Sequence, residues 1–141
     1  MEKFEPFIVA FCCNECAYGA ADLAGMSHMQ FPPNVHIIRI PCTGKIDMVY
    51  ILKAFELGAD GVYVAGCLKD QCHYIDGNYK AEARVSFLKQ ILKALGFGDE
   101  RLEMYFMSAA MASKFVDVAK EFTERIGKLG PNPFFPRCRK Q

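Results

Sequence analysis

The chain has no tryptophan and almost no excess charge: 17 lysines and arginines stand against 16 aspartates and glutamates, a net of +1. A balance this even gives no global attraction to nucleic acid or to an anionic membrane. Arg137, Arg139 and Lys140 form only a small basic cluster at the C-terminus. Long apolar runs are missing too. Stretches such as "GVYVAGCL" fall far short of the roughly 20 residues that a spanning helix needs, so no membrane insertion is expected. The start "MEKFEPFIVAFCC" lacks the basic lead and small-residue cleavage site of a signal peptide. A cytoplasmic location is therefore expected, and disulfides rarely persist there. There is no Walker loop, no GxGxxG fingerprint after the first apolar run and no Ser-His-Asp arrangement. Nucleotide binding and triad hydrolysis drop out of the expected functions.

Cysteine, by contrast, is plentiful: the 141 residues include seven. Seven is odd, so complete internal pairing is impossible. A chain of this length fits one domain and buries enough apolar surface to fold without a metal or a disulfide as a staple. The 52% apolar content suits a packed domain rather than a disordered chain. The cysteines therefore call for an explanation by metal binding, redox chemistry or burial.

Hydrophobic periodicity supplies the frame. "FIVAF" at 7–11 reads as a buried strand, and the Ala-rich "AYGAADLAGMSHM" as a helix. "NVHIIRI", after the breaker pair Pro32-Pro33, reads as a second strand. A helix starts at the N-cap Asp47, carries Met48, Leu52 and Phe55 on one face, and stops at Gly58 or Gly61. "GVYVAG" is a third strand. A longer helix follows from about Asn78 to Leu95, with Val85, Leu88, Leu92 and Leu95 in helical spacing. "LEMYFMS" is a fourth strand. Met111, Phe115, Val118, Phe122 and Ile126 mark a last amphipathic helix. Apolar strands alternating with helices predict a small Rossmann-like or flavodoxin-like three-layer α/β domain with a four-stranded, mainly parallel sheet. This domain is expected over residues 1–130. The Pro-rich tail 131–141 forms no regular element and exposes Phe134 and Phe135, an aromatic pair suited to a contact surface.

On this frame Cys12 and Cys13 end the first strand, Cys42 in "RIPCTG" ends the second, and Cys67 in "VAGC" ends the third. Cys72 follows in "GCLKDQCHY". Ligand sites in open α/β sheets lie beyond the carboxyl ends of the strands. Three sequence-distant strands thus deliver thiols to one sheet edge, where scattered burial would have spread them along the chain. Cys13-x-x-Cys16 has the short chelating spacing of thiolate–metal sites, and Cys12 stands one residue too far back. Cys138, in the tail, reads as an ordinary apolar cysteine. Thiols so placed suit a four-thiolate zinc site, a [2Fe–2S] cluster, or a Cys13/Cys16 dithiol exchanging disulfides. The dithiol leaves the other thiols unexplained, and a domain with this much core has little need of a structural zinc. Spacing leans toward iron–sulfur and leaves the three open.

The segments "FCCNECAYGAADLAG", "PCTGKID", "KAFELGADGVYVAGC", "CHYIDGNYKAEARV" and "LKQILKALG" resemble the delta subunit of methyl-viologen-reducing hydrogenase, the MvhD family. The resemblance runs in order from about Ile8 to about Ile126. It implies a [2Fe–2S] electron-transfer subunit with Cys13, Cys16, Cys42, Cys67 and Cys72 competing for four ligand places. It implies partners as well: an iron–sulfur subunit of a hydrogenase or formate dehydrogenase module, and the flavin-containing HdrA subunit of heterodisulfide reductase, in assemblies that bifurcate electrons. No catalytic residue is implied in the chain itself, and oxidoreductase activity would belong to the complex. Two departures lie beside the proposed cluster. Glu15 stands where many relatives have an aromatic residue, and Leu68, Lys69, Asp70 and Gln71 replace a His-Pro-Gly-Asp loop. The thiols are untouched, and partner choice is what these changes bear on. Amides near Gly44, Gly66 and the helix after Cys16 are candidate donors to cluster sulfurs. His73 and Arg84 are candidate positive charges, each with a plainer reading as a packing histidine and a solvated or ion-paired surface arginine. His28 and His36 carry no assigned role.

Overall fold

The computed structural model describes residues 4–68 and 77–135. Four strands form one parallel sheet: β1 (Ile8–Cys13), β2 (Val35–Ile40), β3 (Gly61–Gly66) and β4 (Leu102–Phe106), in the order β2-β1-β3-β4. Helices α1 (Ala17–Met26), α2 (Met48–Glu56), α3 (Gly77–Ala94) and α4 (Ala112–Leu129) make the connections or follow the last strand. All residues of the central strands β1 and β3 are buried. That follows from helices on both faces and explains why these strands read as continuous apolar runs rather than alternating ones. Ile8, Ala10, Cys12, Tyr63 and Ala65 face α1 and α4. Val9, Phe11, Val62 and Val64 face α2 and α3. The predicted three-layer α/β architecture is therefore the observed one.

Local chemistry sets the element ends. Asp47 caps α2 as expected, its carboxylate accepting from Val49 N at 3.0 Å. Gly61 opens β3 because no side chain fits: a Cβ there would stand 2.7 Å from Ile126 Cγ1 on α4. Gly61→Ala is expected to lower stability by about 1–3 kcal/mol, since overpacking forces strand and helix apart. A shifted urea midpoint with an unchanged slope would show it.

The packing differs from the sequence reading in three places. The buried face of α2 is Ile51 and Phe55, whereas Leu52 is 43% exposed. Phe55 is buried and Met48 partly buried against the same core as expected, but Ile51 rather than Leu52 completes that face. Leu95 lies beyond α3 and is exposed, and Phe97 fills the space instead, its ring 4.8 Å from that of Phe55. The third difference concerns the chain after Gly130, which folds back onto the domain. Asn132 is buried and binds it through Asp60, Phe55 and Ala59. Phe134 and Phe135 stay half exposed, and the ring of Phe134 rests 5.2 Å from that of Phe97.

One face remains apolar and open. A groove of about 830 Å³ runs along β2 beside α2, with Phe11, Ile38, Tyr50 and Leu57 among its lining residues. Among the described residues, no helix is long and apolar enough to cross a membrane.

Candidate metal centre

The order β2-β1-β3-β4 makes the sheet reverse its direction of growth between β1 and β3. The connections leave those two strands toward opposite sides, which opens a crevice at their carboxyl ends. Cys13 is the last residue of β1, and Cys67 directly follows β3. The sheet therefore places one thiol on each side of the crevice, with the two sulfurs 3.8 Å apart. Cys16 closes the group from the start of α1. The sulfurs of Cys13, Cys16 and Cys67 all lie within 4.8 Å of one another.

The surroundings are largely buried and supply one helix amide. Cys13 and Cys67 are 2% and 4% exposed, and Cys16 is half-buried. Ala17 N, the first amide of α1, donates to Cys13 Sγ at 3.3 Å. Amides at a helix N-terminus carry partial positive charge and favour an anion there. Burial pushes the Cys67 thiol up, and the hydrogen-bonded Cys16 and the adjacent Cys13 add to the effect. Three sulfurs this close cannot all ionise against one another unless a cation sits between them. The spacing agrees. A roughly 2.3 Å metal–sulfur bond in tetrahedral geometry places two sulfurs about 3.8 Å apart. The donor set fits a thiolate-bound metal or an iron–sulfur group.

The remaining sequence-predicted residues are placed as follows. Cys42 lies two residues past β2, 7% exposed, and accepts from Gly44 N at 3.3 Å. It stands outside the group of three. Its loop nevertheless borders that group, because a Cβ on Gly66 would meet Thr43 Oγ1 at 3.0 Å, one residue before Cys67. Cys72 and His73 lie outside the described residues. Cys12 points the other way along β1, fully buried against α1 and α4. Burial, with Cys13 beside it, pushes its thiol up to about 12. It is a core side chain. No disulfide joins any two of the described cysteines.

Of the expected amide donors, Gly44 and the start of α1 do donate to sulfur, each to a cysteine thiol. Gly66 instead continues the β3–β4 ladder, its carbonyl bound to Met107 N at 2.9 Å. Arg84 is half-buried on α3, and among the described residues it bonds to backbone carbonyls. Its Nη1 donates to Gly44 O and Ile46 O, in the loop that carries Cys42. Sequence reasoning missed Asn78, which is fully buried and donates through Nδ2 to Cys67 O at 3.0 Å and Leu68 O at 2.9 Å. The only trace of it in the sequence is the Gly-Asn pair at the head of α3.

Comparison with known proteins agrees with this arrangement. The family model described as the delta subunit of methyl-viologen-reducing hydrogenase matches residues 8–130. A protein of Methanococcus maripaludis, named as an iron-sulfur subunit of the vhu F420-non-reducing hydrogenase, is 59% identical over 129 residues, 92% of this chain and 96% of the relative. An iron-sulfur subunit of the F420-non-reducing hydrogenase from Archaeoglobus profundus is 44% identical over 133 residues, 94% of this chain and 97% of its own length. A protein of Methanosarcina acetivorans, named as the A component of ferredoxin/F420H2-dependent CoB-CoM heterodisulfide reductase, is 44% identical over 126 residues. That match takes in 89% of this chain but 16% of the relative, so the same domain forms part of a much longer polypeptide there. With a family match across nearly all of its length, the chain belongs to the methyl-viologen-reducing hydrogenase delta-subunit family.

Proposed function

We propose that this chain is a [2Fe–2S] electron-transfer subunit of an oxidoreductase complex. It relays electrons from a hydrogenase or formate dehydrogenase type module to the flavin-containing HdrA subunit of heterodisulfide reductase. The observation that carries the reading is the group of Cys13, Cys16 and Cys67 sulfurs within 4.8 Å at the strand switch point. Relatives named as iron-sulfur subunits of hydrogenases support the cofactor class. The heterodisulfide reductase relative, which holds the domain within its own chain, supports the acceptor.

When bound, the cluster would accept and release one electron at a time. Cys13, Cys16 and Cys67 would hold it, with Cys42 and Cys72 competing for the last place. The buried walls of β1 and β3 exclude water, and Ala17 N stabilises negative charge on Cys13. Both effects act on the potential through solvent access and hydrogen bonds to sulfur. The open apolar groove along β2 suits a protein that is covered by neighbours in an assembly. The chain by itself turns over no substrate.

Reconstitution tests the relay. An assembly of hydrogenase and heterodisulfide reductase without this chain is expected to reduce artificial dyes with hydrogen but to leave the flavin oxidised. Adding the chain restores flavin reduction. Flavin reduction at the full rate without the chain would rule the relay out.

A further inference from the structure

The head of α3 joins the two loops that carry Cys67 and Cys42. Asn78 is completely buried, and both of its amide hydrogens are used, one on Cys67 O and one on Leu68 O. Its Oδ1 accepts from Tyr79 N at 3.0 Å. Six residues on, Arg84 Nη1 reaches across to Gly44 O at 2.6 Å and Ile46 O at 2.9 Å. Between these anchors the backbones touch: a Cβ on Gly44 would stand 2.9 Å from Gly77 Cα. Gly44 is also the residue whose amide donates to Cys42 Sγ.

Loops that leave a sheet expose carbonyls with no ladder partner, and buried carbonyls need donors. Here four such carbonyls, those of Cys67, Leu68, Gly44 and Ile46, are met by two side chains of one helix. Helix α3 therefore ties the Cys67 loop to the Cys42 loop, adding to the packing of Thr43 against Gly66. We infer that Asn78 and Arg84 are positioning residues for the metal centre, fixing the thiol-bearing loops at the ends of β2 and β3. The inference rests on the proposed cluster. Asn78 bonds the carbonyl of Cys67 directly, and Arg84 bonds the residue whose amide donates to Cys42; groups that orient ligands typically contribute roughly 10–100-fold in metal affinity.

The test uses the full chain, purified anaerobically with its cluster. Arg84→Met removes both bonds to the Cys42 loop. Asn78→Asp keeps the shape but removes the two donors to the Cys67 loop. Arg101→Met is the control. Arg101 braces the opposite, amino-terminal end of the sheet through Asp60 O and Gly130 O, so its loss weakens the fold away from the thiols. Arg84→Met and Asn78→Asp are expected to lose iron to a chelator roughly 10–100-fold faster than wild type. They should also shift the g-values of the reduced protein in electron paramagnetic resonance. Arg101→Met is expected to lower the melting temperature and to leave the g-values in place. Should Asn78→Asp fail to fold, Arg84→Met decides alone, since its bonds are only partly buried. Wild-type iron loss and g-values in a folded Arg84→Met protein overturn the inference while the cluster stands. A wild-type protein without any cluster overturns the proposed function, and the inference with it.

Discussion

Cys67→Ser is expected to strip most of the iron from the anaerobically purified protein, whereas Cys12→Ala retains it. The two side chains are both buried cysteines, so burial alone predicts similar outcomes. Their positions separate them. Cys67 sits 3.8 Å from Cys13 across the crevice, at the spacing of two sulfurs on one metal. Cys12 lies outside the group of three sulfurs and is fully buried in the apolar core. A hydroxyl is a harder and far less acidic donor than a thiol, so serine at position 67 would replace a soft ligand with a poor one. The loss should exceed the roughly 10–100-fold that an outer-shell change produces. Cys12→Ala removes only the packing of one sulfur, about 1 kcal/mol of stability. Iron analysis and the melting temperature give the contrast directly. Loss of iron in Cys12→Ala with full iron in Cys67→Ser would reverse the assignment.

Cutting the chain after Gly130 is expected to destabilise the domain itself. The sequence suggests a tail that offers an aromatic contact surface, because "PNPFFP" has no helical or strand pattern. Yet Asn132 is 1% exposed and its side chain donates to Phe55 O at 3.0 Å and Ala59 O at 2.8 Å. Its own amide donates to Asp60 Oδ1 at 2.9 Å, and its Oδ1 accepts from Phe134 N and Phe135 N. Truncation takes the Asn132 donors away from Ala59 O and Asp60 Oδ1, while Phe55 O keeps its bond from Gly58 N. Each buried group abandoned in this way costs about 1–3 kcal/mol. The truncated protein should therefore lose several kcal/mol, on the order of 10 °C in melting temperature for a domain of this size. Asn132→Ala is expected to reproduce about half of that loss with Phe134 and Phe135 still present. A truncated protein that melts like wild type would return the tail to a purely external role.

The contacts of Asn132 and Arg84 escape the sequence for a shared cause. Asn132 and Arg84 both act on partners at least 38 residues away along the chain. Local pattern reports periodicity and turn chemistry, and a polar side chain that bonds to a distant carbonyl leaves no mark on either. Asn78 bonds nearer carbonyls, those of Cys67 and Leu68 just 11 and 10 residues back, yet leaves no periodicity either. The sheet was legible because β1 and β3 are covered on both faces, and "GVYVAG" coincides with β3 residue for residue. Cys13 and Cys67 were legible as neighbours because parallel strands start and stop in register. Once the strand ends were found, the common edge followed. The α2 face was legible only in part: Met48 and Phe55 pack as expected, but Leu52 and Ile51 are equally good neighbours of Phe55 until the position of α3 chooses between them.

The central claim is that the thiols of the strand switch point hold a two-iron cluster. Iron and acid-labile sulfide analysis of the anaerobically purified chain, combined with Mössbauer spectroscopy, tests it most directly. The expected result is about two irons and two sulfides per chain, the composition of a [2Fe–2S] centre, and a spectrum that changes on reduction by one electron. A colourless protein carrying one zinc in a closed thiolate site, or a metal-free protein in which Cys13 and Cys16 cycle between dithiol and disulfide, would contradict it.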